Sequence, residues 1–286
     1  MMIPAAFQYH SPSSVADAID LLETHGSNAK ILAGGQSLIP MMKLRLADPQ
    51  VIIDLGNINS MNYITERDGG VAIGGMTTYA EIESSNSVPY LLSETAGSVA
   101  DVQVRNRGTI GGSLSHNDPA ADLPAAIIAL KGEIITSSSN THRTIPADDF
   151  FIDLFTTDLA ENEILSEIFI KEQPSNSGAA YLKFANKASH YAIVGVAAVI
   201  ETDKEGKCIS ASIGVSGAGP TAYRAEDSEN ILEGSSLTDA NISEAATQAG
   251  NNVEFNEDVH ASAEYRAHLL KVYTSRVIRE AVSRSS

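Results

Sequence analysis

The chain has 286 residues, 43% of them apolar, and a formal net charge of −17 from 36 acidic and 19 basic residues. That length supports one large domain or two to three small ones, while the shortage of Lys and Arg disfavours binding to nucleic acid or to an anionic membrane surface. A single cysteine, Cys208, excludes an internal disulfide framework and any iron–sulfur cluster held by this chain alone.

The opening MMIPAAFQYH has no basic region followed by an apolar core, so no signal peptide is expected. The longest apolar run, Tyr191–Ile200, is too short to span a bilayer, and a soluble, cytoplasmic protein is expected. Pro12 and Ser13 precede Val15, Ala18, Ile19 and Leu22, whose spacing predicts a helix that Gly26 stops. AKILAGG predicts a strand running into a glycine turn, SLIPMMKLRL a short helix, and VIIDL (51–55) a buried strand. YITERDGGVAIGG predicts a hairpin turning at Asp68-Gly69-Gly70. Thr77 and Thr78 suit the cap of a short helix, and VPYLLSETAGSVA (88–100) predicts a second.

A glycine pair then recurs in GTIGGS (108–113). After it, Asp118 and Pro119 suit a helix start, and residues 125–130 predict a small-residue apolar helix. EIITSSS and TIPADDF flank a polar turn at 140–142, and EILSEIFIK (163–171) alternates toward a strand. QPSNSG (173–178) has the composition of a linker. Beyond it, YLKFANK, YAIVGVAAVIETD and CISASIGVSG predict three antiparallel strands, with Cys208 a small core residue. Helices are predicted over 224–232, 239–251 and 261–284, giving a second α+β unit.

The two glycine pairs, in ILAGGQSL (31–38) and GTIGGS, admit two readings. They are ordinary turns, or they are loops whose amides converge on an anionic group, since glycine lets a ligand approach the backbone closely. Neither fits the Rossmann or P-loop pattern. No G-x-S-x-G elbow, H-E-x-x-H or Cys/His pairing is present, so neither a nucleophile nor a metal site is expected.

Here the motifs carry a resemblance. AGGQSL, VAIGGMTTYAEI, the QVRNRGTIGGSLSHNDPAADLPAAIIAL block and a late AEYRAHLLKVYTSRVIREA, spread from Ile3 to about Ala281, resemble the FAD-binding (medium) subunit of the molybdenum hydroxylases, of the carbon monoxide dehydrogenase and xanthine dehydrogenase type. The resemblance implies an α+β fold: a two-part FAD-binding domain of the vanillyl-alcohol-oxidase/PCMH type over residues 1–176, with subdomains of about 1–55 and 56–176. A C-terminal α+β domain of the CO dehydrogenase flavoprotein type follows over 177–286.

It also implies that the two loops grip the FAD diphosphate. Carried over by position, Leu32, Ala33, Gly34, Gly35, Gln36 and Ser37 form the first, and Thr109, Ile110, Gly111, Gly112 and Ser113 the second. Gln36 stands where some members have His, and Ser113 where many have Asn. Asp122 matches a position that contacts the adenosine end, or simply caps a helix. Leu165 and Lys183 match contacts to the flavin ring, although a lone strand lysine is more commonly solvated. His116 is expected in the diphosphate turn, as ligand contact or turn hydrogen-bonder, and Tyr191 over the flavin or in the core.

By the same resemblance the chain passes electrons from [2Fe-2S] clusters on a small subunit, through FAD, to an external acceptor. Substrate is oxidised at a molybdenum cofactor on a large subunit, in a dimer of heterotrimers. A self-contained flavin oxidase or reductase and a flavin-free binding module with the same fold are the alternatives.

Overall fold

The computed structural model describes residues 3–285 and divides into three sheet-centred layers. The first holds β1 (Gln8–His10), α1 (Val15–His25), β2 (Ala29–Leu32), α2 (Leu38–Lys43) and β3 (Val51–Asp54). Its strands lie in the order β1-β3-β2, all parallel. Ser14 caps α1 by accepting from Asp17 N, and Ala18, Ile19 and Leu22 pack on Val51 and Ile53 as the helical spacing required. β1, which the sequence reading missed, is only three residues long and leaves Tyr9 exposed, so it carries no buried pattern.

The second layer contains β4 (Ile64–Arg67), β5 (Gly70–Gly74), α3 (Tyr79–Ser84), α4 (Tyr90–Ser98), α5 (Val102–Arg105), α6 (Ile110–His116) and α7 (Leu123–Ala129). It continues through β6 (Glu133–Ser137), β7 (His142–Pro146), α8 (Ala147–Phe150), β8 (Phe151–Asp153), β9 (Thr156–Thr157) and β10 (Ile164–Lys171). Five strands form an antiparallel sheet in the order β4-β5-β10-β6-β7. Three expectations are corrected here. The segment after Thr109 is a helix and not a loop; TIPADDF is a strand followed by the single turn α8; and α7 begins at Leu123, four residues beyond Pro119. Glycines at 111 and 112 are poor helix formers, and tertiary packing overrides them.

The third layer has β11 (Ser177–Ala185), β12 (Ala192–Thr202), β13 (Cys208–Ser216) and β14 (Tyr223–Arg224), antiparallel in that order. Helices α9 (Glu226–Leu232), α10 (Asp239–Gln248) and α11 (Ala263–Ser283) follow, so one short strand is added to the three predicted. α11 covers one face of this sheet through Leu269, Leu270, Val277 and Ile278.

The other face is covered by α7, whose seven residues are all buried. A β-carbon on Gly214 of β13 would lie 2.0 Å from the Ala125 carbonyl oxygen, so helix and strand meet backbone to backbone. The core of the second layer therefore runs on into Tyr181, Ala197, Val199 and Ala222 of the third.

Asn117 fastens the same junction. It ends α6 in the left-handed conformation (φ 44°), fully buried. Its Nδ2 donates to the carbonyls of Asp153 and Thr156, both at 2.8 Å, and its Oδ1 accepts from Thr221 Oγ1 at 3.1 Å. Asn117→Ala should lower unfolding free energy by about 3 kcal/mol, through stranded acceptors and an unfavourable φ. Denaturant unfolding of the two proteins checks this.

Candidate functional site

The chain leaves the C-terminal end of β2 at Leu32 and turns through Gly35 (φ 75°) into α2. Among the described residues, the amides of Ala33, Gly34, Gly35, Gln36 and Ser37 donate to no backbone or side-chain acceptor. Ser37 occupies the cap position of α2 without making a cap bond, which leaves its hydroxyl uncommitted too. Gln36 turns back on its own loop, its Nε2 donating weakly to Gly34 O at 3.4 Å. A run of unsatisfied N–H groups on a turn is the arrangement that binds a phosphate.

The second glycine pair is built differently. Ile110 N donates to Thr77 O (3.0 Å), Gly111 N to Gly75 O (2.9 Å) and Gly112 N to the capping Thr109 Oγ1 (3.2 Å). Their amides are spent on the protein, so the expectation that both loops offer N–H groups is corrected. The second supplies packing and the hydroxyls of Thr109 and Ser113. The two segments nevertheless touch. A β-carbon on Gly34 would lie 2.1 Å from Arg107 O, and one on Gly112 would lie 3.4 Å from the Ala33 β-carbon.

Asp122 lies in the cap position of α7 but makes no cap bond. It is 5% exposed, and its carboxylate accepts from the Tyr181 hydroxyl at 2.5 Å and from Lys183 Nζ at 3.0 Å. Burial pushes its carboxyl upward, and Lys183 and Tyr181 oppose that shift. Lys183 Nζ donates its second proton to His190 O at 2.7 Å, leaving a third free of any contact recorded among the described residues. The sequence reading put Asp122 at the adenosine end and Lys183 at the flavin ring; the structure brings the two side chains together as one hydrogen-bonded pair.

Tyr191, immediately before β12, is 45% exposed rather than a core aromatic. Burial of its remainder, with the charges of Asp118 and Asp122, raises its phenol. Tyr79, buried and absent from the sequence reading, is pushed up to about 12 mainly by burial; the Ser113 hydroxyl opposes this, while Asp122 and Tyr191 add to it. Tyr79 thus connects the second glycine segment to the Asp122 cluster. Tyr181 was also missed, although its two-residue spacing from Lys183 in a predicted strand places both on one face.

The two remaining candidates, His116 and Leu165, both belong to the second layer. His116 sits in the last turn of α6, the helix that the second glycine pair opens; its ring packs 5.0 Å from that of Phe155, and burial lowers its pKa. Leu165 is 4% exposed in the core of the second layer, beside the register shift in β10. A cavity of about 280 Å³ adjoins Tyr191, between Asp118, Asn186 and His260. The larger one, of about 830 Å³, lies between the β4–β5 turn and Arg284 and is lined by none of the candidate residues. Among the described residues there is no cluster of His, Cys, Asp and Glu able to hold a metal, and no helix long and apolar enough to cross a membrane.

Comparison with known proteins agrees with this geometry. Residues 5–171 match the family described as the FAD binding domain in molybdopterin dehydrogenase, and residues 179–281 match the CO dehydrogenase flavoprotein C-terminal domain. Together the two matches define an FAD-binding flavoprotein subunit. The nicotine 6-hydroxylase medium subunit of Paenarthrobacter nicotinovorans is 40% identical over 289 residues, covering 100% of both chains. The carbon monoxide dehydrogenase medium chain of Hydrogenophaga pseudoflava is 39% identical over 287 residues, 99% of each. A solved structure of carbon monoxide dehydrogenase from the latter organism, lacking the Mo-pyranopterin moiety of the molybdenum cofactor, superposes with a TM-score of 0.97 at 40% identity, covering 100% of both chains. The chain belongs to the medium, FAD-binding subunits of the carbon monoxide dehydrogenase-type molybdenum hydroxylases.

The donor set fits that cofactor: a run of free amides and a free hydroxyl for the diphosphate, and a lysine with one unassigned proton. Gly34→Ala should force the first loop off Arg107 and lower the flavin content of the purified protein about tenfold, equivalent to about 1.4 kcal/mol of binding. The ratio of flavin to protein absorbance, with circular dichroism as a control for folding, measures it.

Proposed function

We propose that the chain is the electron-transfer subunit of a cytoplasmic, heteromeric molybdenum hydroxylase, accepting electrons from [2Fe-2S] clusters on a small subunit and delivering them to an external acceptor. Substrate is oxidised on a large subunit that carries the molybdenum cofactor, and two heterotrimers associate. The observation that carries this reading is the run of five uncommitted amides, Ala33 to Ser37, pressed against the second glycine segment. Bound there, FAD would supply the chemistry that a junction needs, since it can take up electrons singly and release them as a pair.

The protein's own part is to hold and to orient. The Ala33–Ser37 amides and the Ser37 hydroxyl bind the diphosphate, with Thr109 and Ser113 contributing hydroxyls from the facing segment. Lys183, fixed by Asp122 and the His190 carbonyl, directs a charged N–H at a ligand atom that accumulates negative charge. Tyr191 stands at the exposed rim and controls how closely an acceptor approaches. No general base is required of this chain, and its one cysteine accords with clusters on another polypeptide.

The visible spectrum of the purified chain, before and after dithionite, tests the reading. Flavin bands that bleach, with iron–sulfur and molybdenum signals appearing only on co-purification with partner subunits, are expected. A yellow chain that turns over substrate unaided would instead make it a self-contained oxidase. Tyr191→Ala should change the rate of reoxidation by an external acceptor several-fold in stopped-flow measurements. An unchanged rate would assign Tyr191 to packing alone.

A further inference from the structure

Gly195 sits in the middle of β12, in a run of β-branched and small apolar residues, opposite Lys183 on one side and Ser216 on the other. Glycine weakens a strand interior and commonly marks a place where another group comes close. The group here is the Tyr181 hydroxyl: a β-carbon at position 195 would lie 2.5 Å from it, and 2.9 Å from Ser216 Oγ. The space left by the missing side chain lets the Tyr181 phenol, 4% exposed, reach across the sheet to Asp122 Oδ1. Asp122 Oδ2 is then free for Lys183. One buried carboxylate thus has one donor for each oxygen, and the Tyr181 donor needs Gly195.

We propose that Tyr181 is a positioning residue: with Gly195 as its socket, it keeps the Asp122 carboxylate ionised and aimed at Lys183, so that the ammonium faces the cofactor with its charge compensated. The inference rests on the reading of this cluster as lining the FAD site. Physically, a carboxylate taken out of water stays charged only if donors replace the lost solvent. Removal of the phenol proton leaves Lys183 as the sole donor within the cluster, so Asp122 takes up a proton at a higher pH than in the wild type. Lys183 then faces the cofactor with its charge uncompensated. The other titratable groups around the cluster are Tyr79 at the start of α3, Tyr191 before β12 and Asp118 ahead of α7. The two tyrosines are held neutral by upward shifts, to which the charge of Asp118 contributes at Tyr191, while Asp118 itself accepts from Ala120 N.

The test uses the full chain, first without flavin. Infrared pH titration of aspartate-labelled apoprotein, with the Asp122 signal identified by its loss in Asp122→Asn, reads the carboxyl directly. In Tyr181→Phe the Asp122 transition should move to higher pH. Gly195→Ala should move it the same way with the phenol chemically intact, which also covers the case of a Tyr181→Phe protein that does not fold. The flavin-loaded variants should then show, at that shifted transition, a bend in midpoint potential against pH that the wild type lacks there. A loss of packing alone would lower thermal stability without moving the Asp122 titration, and an unmoved titration in both variants overturns the proposal. If the wild-type chain takes up no FAD, the cofactor reading fails, while the infrared result still decides whether Tyr181 and Gly195 govern Asp122.

Discussion

The joining of the second and third layers depends on one thin helix, α7, with a buried residue at each of its seven positions. α7 must satisfy the core of the five-stranded sheet and at the same time lie flat on β12 and β13, and only small side chains allow both. Its LPAAIIA sequence turns bulk to one side and alanine to the other, and Gly214 removes the last obstacle between the backbones. The helix start at Asp122 is thereby fixed against β11, where Tyr181 and Lys183 wait. The polar cluster of the site is a product of how the two apolar layers close.

Ion pairs secure the closure from outside. Arg284 at the end of α11 donates to Glu94 of α4 at 3.0 Å, and Arg224 of β14 to Asp148 of α8 at 3.1 Å. Partly exposed pairs of this kind each contribute little to stability. Their role here is one of register, because they join elements far apart in sequence and agree with the packing of α7.

Much of this was legible in the sequence, and the rest was hidden for identifiable reasons. Helix α1, the β4–β5 hairpin and the long strands β12 and β13 announce themselves through periodicity and turn residues. The first glycine loop was legible as a strand–turn–helix junction. The second was misread because two adjacent glycines signal a loop locally, whereas here they open a helix that packs tightly on Gly75. Thr109 reads as a phosphate ligand in the sequence and is a helix cap in the structure, a use no spacing rule reveals. Tyr79 and Tyr181 escaped notice because a buried tyrosine is read as core until its hydroxyl's partner is known. The Asp122–Lys183 pair joins residues 61 positions apart, and only the closing of the layers makes it one object.

The first glycine loop also bears on how an acidic protein keeps hold of a diphosphate. The nearest basic groups in sequence, Lys30 and Lys43, both point to solvent, and the donors are uncharged N–H groups of the backbone. Mobile ions screen a lysine–phosphate attraction effectively and a short, enclosed hydrogen bond poorly. If the diphosphate is held as proposed, its grip on this loop would depend little on ionic strength or on the large negative charge around it. The same molecule can adjust its surface charge for solubility or for meeting partner subunits without loosening the flavin.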